Sequence, residues 1–261
     1  MGNILSLILE NKKKRIEILR KNREGLLSLI KKAPKIRPFK SSIKREGKIS
    51  LIAELKQASP SAGILRKDFF LKDVVRSFIE SKVNAISVLT EEDFFLGKIS
   101  YIEEVNKIAN IPILRKDFII DESQVLESRA AGADAILLIA RLLDNERLLR
   151  LYSLAKDLGM DIVVEVHTQK ELRRVLSLPF DIIGINNRNL DTLTIDLNTT
   201  AKLAPFISKD IAIISESGIS ELKDILWLKG LGIDAVLVGE VIMKSEDVNS
   251  KIKELHIDGK G

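Results

Sequence analysis

A chain of 261 residues with 45% hydrophobic and 30% charged side chains can bury a sizeable core, and its length suits one (β/α)8 barrel better than a simple sandwich. The absence of cysteine excludes disulfides, zinc–thiolate sites and thiol nucleophiles, and two distant histidines, His167 and His256, speak against a metal centre. The net charge of +5 is uneven: residues 1–48 hold 15 Lys+Arg against 4 Asp+Glu, a net of +11, and the remainder holds 27 against 33, a net of −6.

The basic leader comes first. Its apolar residues recur at helical spacing: Ile4, Leu5, Ile8, then Ile16, Leu19, and later Leu26, Leu27, Ile30. That pattern predicts amphipathic helices packed on a neighbour with their lysines facing water. The leader lacks the interleaved aromatics of a base-stacking surface, so no nucleic-acid partner is expected. No apolar run approaches the roughly 18 residues of a membrane span. Ile4–Leu9 is short and precedes the basic run Lys12–Arg15, the reverse of a secretory signal. Gly2 and Ser6 fit a myristoylation pattern, but that pattern is loose. A soluble cytoplasmic protein, without membrane partner, is the expectation.

After Lys48, eight short apolar runs alternate with longer amphipathic stretches: Ile49–Leu55, Ala85–Leu89, Ile111–Leu114, Ala135–Ile139, Asp161–Val166, Asp181–Ile185, Ile211–Ser215 and Ala235–Val238. Near-continuous apolar strands alternating with helices imply a parallel sheet covered by helices. Thr168 with Glu171 and Asp121 with Gln124 predict capping boxes, and Asp144, Ser220 and Ser245 predict N-caps. Gly132, Gly159 and Gly232 sit where helices should stop. Eight units favour closure into a barrel. The rival, an open doubly wound sheet, would usually carry a glycine-rich fingerprint after its first strand, whereas Gln57–Gly63 reads QASPSAG. A weak echo between Ala131–Leu138 (AGADAILL) and Leu231–Val238 (LGIDAVLV) supports a repeated unit.

In such a barrel the working residues sit at the C-terminal strand ends. The first strand ends with Glu54 and Lys56, two apart and on one face. The third ends with Arg115, Lys116 and Asp117; the fifth carries Glu165; the sixth ends with Asn186, Asn187 and Arg188; the seventh with Glu216, Ser217 and Gly218; the eighth with Gly239 and Glu240. A single charge there could be an ion pair tying strands together. Two lysines and three glutamates converging on one mouth point instead to acid–base chemistry. Ser217–Gly218 and Gly239–Glu240 occupy the loops where barrels frequently hold phosphate. The string ILRKDF occurs at Ile64–Phe69 and Ile113–Phe118, but only the second puts its lysine at a strand end, so Lys116 is preferred to Lys67. His167 is read as structural and Trp227 as core. Phe94–Phe95, followed by Gly97, either closes over an aromatic substrate or packs its own loop.

These segments together resemble the indole-3-glycerol phosphate synthase family. The similarity rests on IAELKQASPSAG (Ile52–Gly63), SVLTEEDFFLG (Ser87–Gly97), ILRKDFIID (Ile113–Asp121), GADAILLIARLL (Gly132–Leu143), IVVEVHT (Ile162–Thr168), IGINNRNL (Ile183–Leu190), ISESGI (Ile214–Ile219) and LVGEVIMKS (Leu237–Ser245). It implies one (β/α)8-barrel domain over residues 1–261, with residues 1–48 a helical extension covering the mouth and residues 49–261 the barrel. It also implies a cofactor-free, metal-free lyase that closes the indole ring of 1-(2-carboxyphenylamino)-1-deoxyribulose 5-phosphate, losing carbon dioxide and water. A monomer is expected.

The roles implied by the resemblance are these. Lys116 is the general acid and Glu165 its acid/base partner. Glu54 and Asn186 orient the lysine and substrate hydroxyls, and Glu216 belongs to the polar network. Lys56 and Arg188 approach the anthranilate carboxylate, with Ser59 nearby and Phe94 against the aryl ring. Ser217, Gly218, Gly239 and Glu240 hold phosphate. A lysine among apolar walls and other cations would have a lowered pKa. The basic leader over the mouth would draw in a doubly anionic substrate. Many relatives carry a small residue where this chain has Glu240, whose carboxylate is therefore expected to turn away. With the sequence ending at Gly261, no fused second barrel is expected. Among rival enzymes, a phosphoribosylanthranilate isomerase needs a cysteine, and a tryptophan synthase α-type lyase needs no paired lysines. A non-catalytic ligand-binding barrel would have no reason to keep every mouth residue.

Overall fold

Side chains two apart on a strand share a face. In the eight strands predicted after Lys48 this parity sorts apolar residues into two layers, one inside a closed sheet and one beneath the helices. The computed structural model describes residues 4–255; Gly2, His256 and Gly261 lie outside them. Eight parallel strands close into a barrel: β1 (Ser50–Leu55), β2 (Ala85–Leu89), β3 (Ile113–Lys116), β4 (Ala135–Ile139), β5 (Asp161–Val166), β6 (Ile182–Asn186), β7 (Ala212–Glu216) and β8 (Ala235–Val238). The seam pairs β8 with β1, Ser50 lying beside Ala235 and Ala53 beside Val238.

Inside the barrel pack Ile52, Leu114, Leu137, Val163, Ile182, Ile214 and Leu237; outside, Leu51, Ile86, Ile136, Val164, Ile183 and Val236 join the strand–helix core. The helices supply their half through faces such as Val74, Val75 and Phe78 of α4 (Leu71–Glu80) and Ile102 and Val105 of α5 (Ser100–Asn106). The remaining outer helices are α6 (Glu122–Ala131), α7 (Asn145–Asp157), α8 (Gln169–Val175), α9 (Asn198–Leu203), α10 (Leu222–Gly230), α11 (Glu240–Lys244) and α12 (Val248–Leu255). None of the described helices is long and apolar enough to cross a membrane.

Three strand ends fall later than the apolar runs suggest. β3, β6 and β7 continue through Lys116, Asn186 and Glu216, because the ladder hydrogen bonds persist after the inward side chains turn polar. Helix starts also differ in detail. Thr168 accepts from the Glu171 N–H and Asp121 from the Ser123 N–H, but Glu171 and Gln124 reach back to the N–H groups of His167 and Ile120, one residue before the cap. Asp144 caps α7 as expected. Glu221, not Ser220, caps α10 in a reciprocal box with Asp224, the longer carboxylate spanning the turn while Ser220 donates to Asp224. Ser245 lies too far upstream of α12 to cap it, and Asp247 accepts from the Ser250 N–H instead. Gly132, Gly159 and Gly232 all adopt positive φ after their helices. Trp227 is 40% exposed rather than core, since Ile225 and Leu228 take the buried face of α10.

The leader is more than a roof. Helix α1 (Ile4–Lys21) lies across the mouth and α2 (Arg23–Ile30) runs down the flank against α6. Helix α3 (Phe39–Ile43) then plugs the opposite end, with Phe39 and Ile43 wholly buried among the barrel-interior residues. Filling that hole is worth about 3–5 kcal/mol for Phe39 alone, the usual cost of truncating a buried phenylalanine. The expectation that the extension covers the mouth therefore describes α1 only.

The cations around α3 meet acidic residues that precede the strands. Arg37 forks onto Asp134 at 2.7 Å, Lys40 Nζ lies 3.4 Å from Asp181, and Lys44 Nζ lies 3.3 Å from Asp234. Nearer the mouth, Arg15 pairs with Glu92 and Asp93, and Arg20 with Asp121. Lys12, Arg15, Arg20, Arg37, Lys40 and Lys44 of the leader are thus matched by barrel carboxylates, while Lys13, Lys21, Arg23, Lys31, Lys32 and Lys35 are exposed.

Candidate active site

The top inward layer of the barrel is built from alternate strands, as the geometry of eight-stranded barrels requires. Glu54 comes from β1, Lys116 from β3, Glu165 from β5 and Glu216 from β7. Lys116 Nζ lies 3.0 Å from Glu165 Oε2 and 3.2 Å from Glu216 Oε2. Lys56 Nζ, just beyond β1, lies 2.6 Å from Glu54 Oε2.

Glycines between these strands make the layer possible. A Cβ at Gly184 of β6 would collide with the Glu216 carboxylate, and one at Gly239, just past β8, with that of Glu54. Two bulky acids fit into one layer because their neighbours carry no side chain.

All five of these polar groups, with Asn186, open onto a single cavity. Ile4, Leu5 and Ile8 of α1 roof it; Leu89, Phe95, Phe118, Leu137, Ile139 and Leu190 form apolar walls. Ser59, Arg188, Ser217, Gly218, Gly239 and Glu240 also line it. Ser217 and Gly218 both hold positive φ, 68° and 84°, and a Cβ at Gly218 would strike Ile195. That strained turn directs backbone toward the cavity, as an anion site needs. The structure thus brings together every candidate residue but one. Phe94 does not line the cavity and Phe95 does, because the Glu91 carboxylate accepts the N–H groups of Phe94 and Phe95 and fixes the turn. Lys67 is exposed in the segment after Ile64, away from the cavity.

Glu240 lies between two cations. Its carboxylate takes Arg188 Nη2 at 3.3 Å and Lys244 Nζ at 2.7 Å, and these cations help hold its pKa below the ordinary range despite partial burial. Arg188 also donates to Ser61 Oγ at 3.0 Å, which ties the loop after β6 to the loop after β1.

The electrostatics overturn one expectation. Burial works to lower the Lys116 pKa, but Glu165, Glu216 and Glu54 outweigh it and hold the ammonium well above its usual range. Carboxylates, not cations, are its neighbours. Burial would raise Glu165, yet Lys116 and His167 pull it below the carboxylate range. Burial pushes Glu216 up to about 7, with Lys116 opposing and the charges of Glu165 and Glu54 adding to the rise. Three of the layer's four groups are therefore a firm cation, a firm anion and a carboxyl near neutrality. Such a set can donate and accept protons at separate points.

One residue near the site escaped the reading from sequence and another was read only as structural. That second one, His167, lies behind Glu165, its Nε2 3.2 Å from Glu165 Oε1. The signal was available, since residues 165 and 167 share a strand face. Lys12 is buried and lies 2.6 Å from Asp117, and nothing distinguishes it from the lysines beside it in the basic run.

Comparison with known proteins agrees with this geometry. The family model described as indole-3-glycerol phosphate synthase matches residues 5–255. An indole-3-glycerol phosphate synthase of Desulforamulus reducens is 44% identical over 259 residues, 98% of each chain. Another, of Acetivibrio thermocellus, is 48% identical over 216 residues, 83% of each. Among solved structures, a 3-hexulose-6-phosphate synthase superposes with a TM-score of 0.63 at 16% identity, covering 79% of this chain and 98% of that one. A chain of the tryptophan synthase complex of Pyrococcus furiosus does so with 0.60 at 14% identity, covering 81% and 98%. At those identities the structural neighbours speak for the barrel alone, whereas the sequence relatives and the matched model carry the assignment: this chain belongs to the indole-3-glycerol phosphate synthase family, carboxy-lyases of tryptophan biosynthesis.

Proposed function

We propose that the roofed cavity is where this chain converts 1-(2-carboxyphenylamino)-1-deoxyribulose 5-phosphate into indole-3-glycerol phosphate, carbon dioxide and water, with Lys116 as general acid. The observation that carries this reading is the Lys116 ammonium held between Glu165 and Glu216 at the centre of the cavity.

In the first step the ring carbon that bears the carboxylate attacks the sugar ketone. The carbonyl oxygen gains charge as the new carbon–carbon bond forms, and Lys116 neutralises it and delivers a proton. The raised pKa of Lys116 keeps that proton on the enzyme until the developing alkoxide, a far stronger base than any carboxylate, takes it. Loss of carbon dioxide then restores the aromatic ring, its electron pair returning to the ring carbon. Expulsion of the hydroxyl as water and loss of a proton from the adjacent carbon complete the indole. Glu165 serves these later transfers, and Glu54 holds Lys56 2.6 Å away while Asn186 meets the sugar hydroxyls.

Lys56 and Arg188 face the anthranilate carboxylate, near Ser59, and Phe95 takes the place against the aryl ring that the sequence suggested for Phe94. Ser217, Gly218, Gly239 and the Glu240 backbone cradle the phosphate. Every proposed site residue comes from one chain, so a monomer suffices for the reaction. The test is indole fluorescence on mixing protein with the carboxyphenylamino substrate. Lys116→Ala is expected to lower kcat by about 10³-fold or more while still binding product. Turnover like that of the parent protein would refute the assignment.

A further inference from the structure

Beyond the cavity wall, a chain of alternating charges runs outward from Lys116. Glu165 gives Oε2 to Lys116 and presents Oε1 to His167 Nε2 at 3.2 Å. On its other side His167 Nδ1 lies 3.5 Å from Glu171 Oε2, the same oxygen that accepts the His167 backbone N–H at 2.7 Å. The His167 side chain is 7% exposed, so water does not compete for it. Helix α8 begins at Gln169, and its first turn delivers Glu171 to this spot.

A neutral imidazole has one donor and one acceptor nitrogen. Here both nitrogens are buried and make no hydrogen bond, yet they lie 3.2 Å and 3.5 Å from carboxylate oxygens, which only accept. A lone pair beside a buried carboxylate is repelled, and protonation of both nitrogens turns that repulsion into attraction. We propose that His167 is a positioning residue: as an imidazolium clamped between Glu165 and Glu171, it fixes the Glu165 carboxylate toward Lys116 and the substrate.

The direction of titration agrees. Burial disfavours the charge, but the contacts with Glu165 and Glu171 raise His167 to about 9. The other charges bearing on this group are Asp191 and Arg141, themselves paired at 2.7 Å, and Lys116 beyond Glu165. Above the His167 pKa, Glu165 loses one of its two cations, so turnover should fall on the alkaline side. The proposal rests on the acid/base role of Glu165 argued above, and the measurements separate the two.

The chain has two histidines, so a His256→Gln variant leaves one imidazole for NMR. His167 is expected to be doubly protonated at neutral pH and to titrate near 9. Glu171→Gln, which leaves the cavity untouched, should lower that titration by about one unit or more and move the alkaline limb of kcat by the same amount. His167→Gln should lower kcat about tenfold with KM little changed and abolish that limb. A neutral His167 at pH 7 would overturn the proposal. So would an NMR titration that moves in Glu171→Gln while the kcat limb stays fixed. Should Glu165→Gln turn over normally, the acid/base reading itself fails. Should Glu165→Gln be inert while His167→Gln is not slowed, only the positioning role fails.

Discussion

Lys12 of α1 and Asp117, the residue after Lys116, meet at 2.6 Å with both side chains buried, so the roof of the cavity is fastened beside the candidate general acid. Asp117 also takes Arg115 at 3.0 Å and Thr90 at 2.7 Å. Lys12→Met keeps the apolar length and removes the charge. The loss should cost about 3 kcal/mol, the penalty for breaking one side of a buried pair. Urea unfolding will read it. KM should rise as Ile4, Leu5 and Ile8 lose their anchor, and a Lys12→Met/Asp117→Asn double variant should lose less stability than the two singles summed.

The same pair sets an acid limb for stability. Burial would raise Asp117, but Lys12 and Arg115 depress it from an ordinary 3.8 to about 2. A carboxylate depressed in the fold adds stability that is complete above its unfolded value. That stability drains away as pH falls from about 4 through 2. Asp117→Asn should be less stable at neutral pH and lose less on acidification across that window. Denaturant midpoints measured at stepped pH will show whether the two curves converge.

Gly184 offers a steric test of the carboxylate layer. Gly184→Ala places a methyl against the Glu216 carboxylate on the neighbouring strand. Overpacking of this kind costs about 1–3 kcal/mol, and displacement of Glu216 from Lys116 should lower kcat about tenfold or more. Melting temperature and kcat measured on one preparation will separate the two effects. A stable variant with unaltered kcat would remove Glu216 from the mechanism.

Arg188 and Glu240 allow a balance of charges to be tested. Arg188→Met should raise KM about tenfold or more with a smaller change in kcat, since it removes an anion contact made throughout the reaction. Glu240→Gln frees Arg188 from its 3.3 Å partner and should lower KM. Opposite signs in steady-state kinetics are the expected outcome; the same sign would mean that the pair acts as a structural tie.

Much of this site was legible from residues because barrels put chemistry at strand ends, and a charged side chain in an apolar run is conspicuous. Glu54, Lys116, Glu165 and Glu216 are such intrusions, and all four reach one layer. What escaped depends on contacts between distant elements. Lys12 looks like Lys13 and Lys14 until α1 is laid over β3. The lowered pKa expected for Lys116 failed because a strand pattern shows apolar walls and which carboxylates share the mouth, but not that Glu165 and Glu216 come within 3.0 Å and 3.2 Å of the ammonium and outweigh its burial. Phe94 and Phe95 differ only by which way one turn points, and that is fixed by Glu91.

The floor of the barrel bears on how the chain assembles. Lys44 reaches an aspartate 190 positions later, and the first strand takes its second neighbour from the eighth. Made from its amino end, the protein must hold a strongly cationic stretch and a half-paired opening strand in waiting until nearly everything else exists. Such high contact order makes folding slow. A chain stopped before residue 234 would leave both the plug and the opening strand without their final partners.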